Sequence, residues 1–277
     1  MTSAGQLPHH TLQFQIAVGE PMDLGLRDKA VLITGGSRGL GKAMAAGFAA
    51  EGCRVALCAR GQEKLESAAE ELRALGATVL ALRADVTREE EARALVEEAT
   101  LRFGSVDVLV NNVGGSRPGG VLETEDQDWS EILALNLLST VRMCRLIVPG
   151  MKERRSGRII NIASIFGREW GGSMIYNAAK AGVISFSKFL SRELAPYDIL
   201  VNSVAPGSIL FPGGNWERRQ KENPEAIARF VVQELPLGRF GRPEEIAHMV
   251  VFLASEKASL VSGASIAVDG SQSRSLI

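Results

Sequence analysis

The sequence predicts a single-domain α/β protein with a doubly wound parallel sheet of about seven strands and helices on both faces. Two observations predict it. Short apolar runs, which are typical of strands buried on both faces, alternate with amphipathic stretches from residue 29 onward. A glycine-rich turn follows the first of these apolar runs directly, and a helical stretch starts at once after it.

The first half of the pattern begins with an apolar strand at residues 30–34, and residues 40–51, rich in Ala and Gly, follow as a helix. A second apolar strand at 54–59 precedes a helix at 62–75 that carries its charges on a polar face. Residues 78–84 form the third strand. Because strands alternate with helices, we expect right-handed crossovers and parallel pairing.

The middle of the chain continues the alternation. Residues 88–103 are predicted to be a helix whose acidic start complements the helix dipole. An apolar strand at 106–111, a long helix at 129–148, a strand at 158–163 and a second long helix at 173–194 follow in order. This part of the chain therefore adds two strands to the sheet and three helices to its faces.

Strands at residues 199–205 and 265–268 complete a Rossmann-type sheet. Between them, residues 207–237 carry turn signals and are predicted to be an irregular insert that acts as a substrate lid. No linker interrupts residues 22–277, which we expect to form one domain. Residues 1–21 form an N-terminal extension, which is either loosely ordered or an arm on a partner subunit.

Charge and composition exclude several function classes. The 277 residues carry 31 basic and 32 acidic side chains, so neither nucleic acid nor an anionic membrane is an expected partner. We expect no membrane span, because no run of 18 apolar residues occurs. The three cysteines lack metal-ligand spacing, so no metal site is expected. Their odd number and the lack of a secretory signal favour a cytoplasmic location.

The first strand runs into Gly35-Gly-Ser-Arg-Gly-Leu-Gly41, directly before a helix. Glycines allow the backbone to turn tightly and to approach a pyrophosphate, and the helix N-terminus offers free N–H groups. An ordinary glycine-rich connection is the alternative. Because the turn follows the first strand of a βαβ array, its position favours dinucleotide binding.

The end of the second strand predicts which dinucleotide is bound. An acidic residue at this point would bind the ribose 2′-hydroxyl of NAD, but the sequence has Ala59 followed by Arg60. Arg38 lies in the glycine-rich turn. Two guanidinium groups can hold a 2′-phosphate, so NADP(H) is favoured over NAD(H), unless both arginines are merely solvated.

An ordered set of motifs resembles the short-chain dehydrogenase/reductase family over about residues 22–272, and within it 3-oxoacyl carrier-protein reductases and sugar or polyol dehydrogenases in particular. The motifs are Thr34-Gly-x-x-x-Gly-x-Gly41, Asp85-Val86, Asn111-Asn-Val-Gly114, Asn136, Ser164, Tyr176-Asn-Ala-Ala-Lys180, Asn202-x-Val-x-Pro206-Gly207 and Val268-Asp-Gly270. The resemblance implies a carbonyl–alcohol oxidoreductase that uses a nicotinamide dinucleotide.

The chemistry of the central motif is consistent with that activity. Tyr176 and Lys180 are four residues apart on a predicted helix and share one face. An ammonium group beside a phenol lowers the phenol pKa, so we expect Tyr176 to exchange a proton with the substrate oxygen. Ser164, at the end of a strand, is expected to orient that oxygen. By resemblance, Lys180 also binds the nicotinamide ribose, and Asn136 anchors a proton relay.

The turn, the basic residues and the resemblance together give a set of expected cofactor-binding residues: Gly35, Ser37, Arg38, Gly39, Leu40, Gly41, Arg60, Asp85, Val86, Asn112, Gly114, Tyr176, Lys180, Pro206, Gly207 and Ile209. A homotetramer is also implied by the resemblance. The alternative to an enzyme is a catalytically silent NADP-binding sensor or scaffold. Such a protein would need no Tyr–Lys pair, so the intact pair argues against it.

Overall fold

The computed structural model describes residues 22–276, so the predicted extension at 1–21 lies outside the described residues. One parallel sheet has the strand order β3-β2-β1-β4-β5-β6-β7. Its strands are β1 (Ala30–Thr34), β2 (Arg54–Ala59), β3 (Thr78–Arg83), β4 (Val108–Asn111), β5 (Gly157–Ile162), β6 (Ile199–Pro206) and β7 (Ser265–Val268). This sheet confirms the predicted doubly wound fold. The strand order reverses between β1 and β4, which opens a crevice beyond their carboxyl ends.

Helices cover both faces of the sheet and form two apolar cores. They are α1 (Gly39–Ala50), α2 (Gln62–Ala74), α3 (Glu89–Phe103), α4 (Asp126–Leu133), α5 (Ser139–Arg154), α6 (Met174–Leu194), α7 (Asn215–Glu222), α8 (Pro224–Glu234) and α9 (Pro243–Ala254). One core packs α1, α2 and α9 against the sheet, and the other packs α3, α5 and α6. Burial of the strand side chains from both faces supplies the main driving force for this arrangement.

The helix predicted at 129–148 is longer and is not uniform. A capping box between Glu125 and Asp128 starts α4, and a π-helical turn at Ala134–Leu138 joins α4 to α5. The prediction ended the helix before Pro149, yet α5 continues through this proline to Arg154. Residues on both sides of Pro149 pack in the core, so tertiary contacts offset the lost backbone hydrogen bond.

By length and composition alone, the helical stretch Asp126–Arg154 could span a membrane, because it has 29 residues and contains an 18-residue window with a mean hydropathy of 1.5. Core helices of soluble proteins meet the same criteria. In this fold, Met143, Cys144, Ile147 and Met151 of the stretch are buried in one of the two cores.

The segment predicted as an irregular lid contains two helices. Salt bridges four residues apart, from Arg218 to Glu222 and from Lys221 to Glu217, support α7. Asn223 caps α8 through a 3.0 Å hydrogen bond from the backbone N–H of Ala226. The prediction of an irregular insert was therefore wrong, because the turn signal at Asn223-Pro224 starts a helix instead of extending a loop.

Candidate active site

The glycine-rich turn joins β1 to α1 as predicted. Gly35 has a φ of 71°, and Gly39 has a φ of 53°, both in the left-handed region that favours glycine. A Cβ atom on Gly41 would collide with the carbonyl oxygen of Gly35, and one on Gly39 would lie 2.6 Å from the Phe211 ring. These two glycines therefore permit close packing of the turn.

A cleft of about 630 Å³ opens above this turn, at the carboxyl ends of the strands. Fourteen of the sixteen residues predicted to bind the cofactor line it: Gly35, Ser37, Arg38, Leu40, Arg60, Asp85, Val86, Asn112, Gly114, Tyr176, Lys180, Pro206, Gly207 and Ile209. Gly39 and Gly41 belong to the same turn but do not line the cleft. The cleft therefore follows a path from the end of β2, across the turn, to the end of β6.

Three basic side chains lie at the β2 end of the cleft. Arg38 and Arg60 line it as predicted, and Lys64 of α2, a helix with a predicted polar face, adds a third cation. Arg38 also donates a 2.7 Å hydrogen bond to the carbonyl oxygen of Gly213 in the predicted lid. This end of the cleft suits an anion.

Asp85 lies at the same end of the cleft and accepts hydrogen bonds from the backbone N–H and the hydroxyl of Thr87, at 3.0 and 2.7 Å. Burial acts to raise the pKa of Asp85, but these hydrogen bonds and the charges of Arg60 and Arg88 lower it below its ordinary value. Asp85 is therefore an anionic acceptor at the cleft wall.

The floor of the cleft is held by Asn112. Its side-chain amide donates to the carbonyl oxygens of Thr34 and Gly35, at 3.0 and 3.2 Å, and thus ties the end of β4 to the glycine-rich turn. The backbone N–H groups of Asn112 and Val113 donate to the Thr34 hydroxyl. Asn112 therefore shapes the turn in addition to lining the cleft.

Ser164 follows β5 and lies beside Tyr176 of α6. The Ser164 hydroxyl accepts a 3.2 Å hydrogen bond from the backbone N–H of Phe166 and so caps a short 3-10 turn. A Cβ atom on Gly167 of this turn would lie 2.7 Å from the Lys180 backbone, so only glycine lets the turn approach α6 this closely. Ser164 and Tyr176 both line the cleft, and the Ser164 hydroxyl acts to lower the pKa of the Tyr176 phenol.

Lys180 is buried, and its ammonium donates a 2.7 Å hydrogen bond to the carbonyl oxygen of Ile162. The ammonium nitrogen lies 5.6 Å from the centre of the Tyr176 ring. Burial lowers the pKa of Lys180 from its ordinary 10.5 to about 8. The expected proximity of the phenol and the amine is therefore present.

The pKa of Tyr176 does not shift in the expected direction. Burial raises the pKa of the phenol above its ordinary value, and the hydrogen bond with Ser164 offsets this only in part. The prediction that the Lys180 ammonium lowers the Tyr176 pKa is therefore wrong for the side chains of the protein itself. The physical reason is that desolvation penalises the phenolate, while the Lys180 ammonium is bonded to Ile162 instead of the phenol oxygen.

Asn136 is fully buried in the π-helical turn, where its amide donates to the carbonyl oxygens of Gly115 and Ile132 at 2.8 and 2.9 Å. A Cβ atom on Gly114 would lie 2.8 Å from the Asn136 carbonyl oxygen and 3.2 Å from the Lys180 nitrogen. Both side chains therefore approach the same point of the backbone. π-helical turns often occur at functional sites.

A second cavity, of about 1100 Å³, adjoins the cleft. Its walls come from three segments: residues 116–123, residues 164–177 and residues 206–222. Ser164, Tyr176, Pro206 and Gly207 line both this cavity and the first cleft. The two hydroxyl groups thus lie at the junction of two compartments.

Comparison with known proteins identifies the family. A family profile described as enoyl-(acyl carrier protein) reductase matches residues 35–271. The 3-oxoacyl-[acyl-carrier-protein] reductase of Staphylococcus epidermidis is 38% identical over 245 residues, which are 88% of this chain and 98% of that protein. The corresponding reductase of Thermotoga maritima is 37% identical over 246 residues, with the same shares covered. The chain belongs to the short-chain dehydrogenase/reductase family.

Solved structures of other short-chain dehydrogenases/reductases share the fold. L-sorbose reductase from Gluconobacter frateurii, complexed with NADPH and L-sorbose, is 37% identical with a TM-score of 0.87. The match covers 92% of this chain and all of that chain. A variant of actinorhodin polyketide ketoreductase with NADPH is 35% identical with a TM-score of 0.85, over 89% and 98% of the two chains. Membership confirms the predicted family, its Rossmann-type fold and the oxidoreductase class.

Proposed function

We propose that this short-chain dehydrogenase/reductase is an NADPH-dependent reductase that converts a carbonyl group to a secondary alcohol. The observation that carries the proposal is the position of the Ser164 and Tyr176 side chains. They stand where a cleft suited to a dinucleotide meets a second cavity. A substrate carbonyl in the second cavity would lie next to a proton donor and next to the nicotinamide end of the cleft.

Each residue has a defined part in the reaction. Bound NADPH supplies the hydride that reduces the carbonyl carbon. Tyr176 donates its phenolic proton to the carbonyl oxygen, and Ser164 stabilises the negative charge that develops on that oxygen. Lys180 binds the nicotinamide ribose, and its ammonium lies close enough to Tyr176 to assist reprotonation. Asn136 holds the adjoining loop at Gly115 in place for this relay.

The raised pKa of Tyr176 suits the proton-donor role that carbonyl reduction needs. Because burial raises this pKa, the phenol is protonated at neutral pH and is ready to donate. Oxidation of an alcohol needs the phenolate form, which becomes populated as the pH rises toward the phenol pKa. We therefore expect carbonyl reduction near pH 7 and a rise of alcohol oxidation only at alkaline pH.

NADP(H) is the cofactor because the β2 end of the cleft combines three cations with the lack of an acid at Ala59. The two solved structures named above, both with NADPH, support this choice. The double substitution Arg38→Ala and Arg60→Ala is expected to weaken NADPH binding by at least about 100-fold, since it removes two charge-assisted bonds that are each worth about 1.5–3 kcal/mol. NADH binding should change by less than about threefold, because NADH has no 2′-phosphate for these groups to hold. Fluorescence titration of both dinucleotides measures this, and tighter NADH binding by the wild type would contradict the cofactor assignment.

The substrate class is narrowed by the arginines near the second cavity. Arg117 is paired with Asp128 and Glu131, and Arg168 donates to the backbone of Ser265. These two arginines are therefore engaged within the protein.

The arginines of α7 differ from each other. Arg218 is bonded to Asn215 and Glu222, whereas Arg219 stacks over the Trp216 ring at 4.6 Å and lines the cavity. The position of Arg219 thus favours the hypothesis of a substrate with an apolar body and an anionic tail, such as an acyl thioester on a carrier. The similarity to L-sorbose reductase favours an uncharged sugar instead.

NADPH oxidation followed at 340 nm against a carbonyl panel tests the function. We expect turnover with a short β-ketoacyl thioester, and Arg219→Ala should raise the KM for it but not the KM for an uncharged ketone. Turnover of ketoses with none of thioesters would reject the anionic substrate. NADPH binding without any turnover would favour the silent sensor or scaffold.

We further propose that the protein is cytoplasmic and forms a homotetramer, and that residues 207–237 act as a lid. The lid role is supported by the hydrogen bond from Arg38 to Gly213, which joins this segment to the rim of the cleft.

A further inference from the structure

The Val268-Asp-Gly270 motif has no part in the mechanism above, yet it starts a C-terminal segment that returns to the active site. Gly270 and Ser271 both have positive φ, at 61° and 66°. The Asp269 carboxylate accepts the backbone N–H groups of Ser271 and Ser273, at 3.0 and 2.8 Å. This tight turn after β7 directs the side chain of Gln272 back toward the end of β6.

Gln272 is bonded to the loop that separates the cleft from the second cavity. Its carbonyl oxygen accepts the backbone N–H of Ser208 at 2.7 Å, and its amide donates to the Ser208 hydroxyl at 2.9 Å. Ser208 is buried, and a Cβ atom on the preceding Gly207 would lie 2.7 Å from both Asp269 and Gln272. Gly207 is therefore the residue that lets the C-terminal segment approach this loop.

The same segment is bonded to the opposite wall of the cavity. One carboxylate oxygen of Glu169 accepts the backbone N–H groups of Arg274 and Ser275, at 2.6 and 2.8 Å. The backbone carbonyl of Glu169 in turn accepts a 2.7 Å hydrogen bond from Asn177, the residue that follows Tyr176. An exposed ion pair from Arg274 to Glu234 adds little by comparison.

We infer that residues 269–275 are a positioning element of the active site. Gln272 of this segment fixes the loop at 206–209, and the segment's backbone fixes the loop at 165–173 through Glu169. The expected effect of this segment on turnover rests on the proposed function. The loop at 206–209 borders the nicotinamide end of the cleft, and the loop at 165–173 borders the substrate. An error of about 1 Å in such positions costs about 100-fold in rate.

The kinetic test compares Gln272→Met with Gln272→Glu. Methionine has a similar size but cannot hold Ser208, so kcat should fall by about 10-fold or more. The Kd of NADPH should change by less than about threefold, because the basic residues at the β2 end of the cleft are untouched. Glutamate keeps an acceptor for the Ser208 N–H and offers a second acceptor to its hydroxyl, so kcat should recover to within about twofold. Leu276→Ala, at a fully exposed side chain, is the control.

Three outcomes would overturn the inference: wild-type kcat in Gln272→Met, equal losses in the methionine and glutamate variants, or a loss of activity that comes with a changed oligomeric mass. The last result would assign the segment to subunit contacts.

Hydrogen exchange gives a reading that does not need turnover. Gln272→Met should speed exchange in residues 206–209, and Glu169→Ala should speed it in residues 165–173. If the wild type reduces no carbonyl, the proposed function fails while this reading still applies. Unchanged exchange in both segments would overturn the positioning role even in an active enzyme.

Discussion

Replacing Lys180 by methionine removes a charge that the fold buries beside the reacting groups. Burial lowers the pKa of this lysine from 10.5 to about 8, so the folded state gives up the proton more readily than the unfolded chain does. At 1.36 kcal/mol per pKa unit, this difference disfavours the charged form in the fold by about 3 kcal/mol.

The sign of the pH effect follows from proton binding. Between pH 8 and 10.5 the unfolded chain keeps the lysine proton and the folded protein loses it, so stability increases with pH. The destabilisation caused by the buried Lys180 charge has its full value below pH 8 and is absent above pH 10.5. For the two pKa values, the free energy of unfolding should rise by about 2 kcal/mol from pH 7.5 to pH 9.5, relative to Lys180→Met.

Urea denaturation of the wild type and Lys180→Met at these two pH values measures the difference. Lys188→Met is the matched control, because Lys188 is an exposed lysine on the same helix, and its pH profile should follow the wild type. The reasoning would be refuted if the wild type and Lys180→Met differed by the same free energy at both pH values, since Lys180 would then titrate alike in both states.

Three further substitutions test other parts of the account. Gly41→Ala should abolish binding of both dinucleotides, because a Cβ atom would collide with the carbonyl oxygen of Gly35; unchanged NADPH affinity by fluorescence titration would refute this. Ser164→Ala should lower kcat by about 100-fold at unchanged NADPH affinity, and a wild-type kcat would remove the serine from the mechanism. The paired hydrogen bonds from Arg239 lower the pKa of Glu245 to about 2, so this carboxylate stabilises the fold above pH 4.5 and loses that effect as the pH falls toward 2. Glu245→Gln should therefore unfold at a lower urea concentration at pH 6 but match the wild type near pH 2, and equal midpoints at pH 6 would contradict the assignment.

Local signals made most of the fold predictable. The five inner strands of this sheet are largely buried, so each is an apolar run bounded by turns, and all seven strands were found within two residues of their ends. Helix ends were harder to predict. Helix α5 continues through Pro149 because the residues on both sides of the proline pack in the core. The pair Asn223-Pro224 is a turn signal but is also a favourable start for a helix.

The cofactor cleft was predictable for a different reason. Its residues follow the ends of parallel strands, which meet at one edge of the sheet, so order along the chain fixes their neighbourhood. Lys64 was missed because a lysine on a polar helix face gives no signal of what lies across from it. The pKa of Tyr176 was misjudged because spacing shows that Lys180 is near but not that its ammonium is bonded to Ile162.

The C-terminal contacts were outside the reach of sequence patterns altogether. Gln272 lies 64 residues from Ser208, and Glu169 lies 106 residues from Ser275. Only the return of the chain through β7 brings these groups together, and the sequence shows nothing unusual at either end.

Reduction of a carbonyl by NADPH in the wild type and in Tyr176→Phe tests the central claim most directly. Phenylalanine keeps the ring and removes the transferable proton, so kcat should fall by about 100-fold to 10,000-fold while the Kd of NADPH stays within about threefold. Turnover by Tyr176→Phe at the wild-type rate would contradict the account, since the proton would then come from another group.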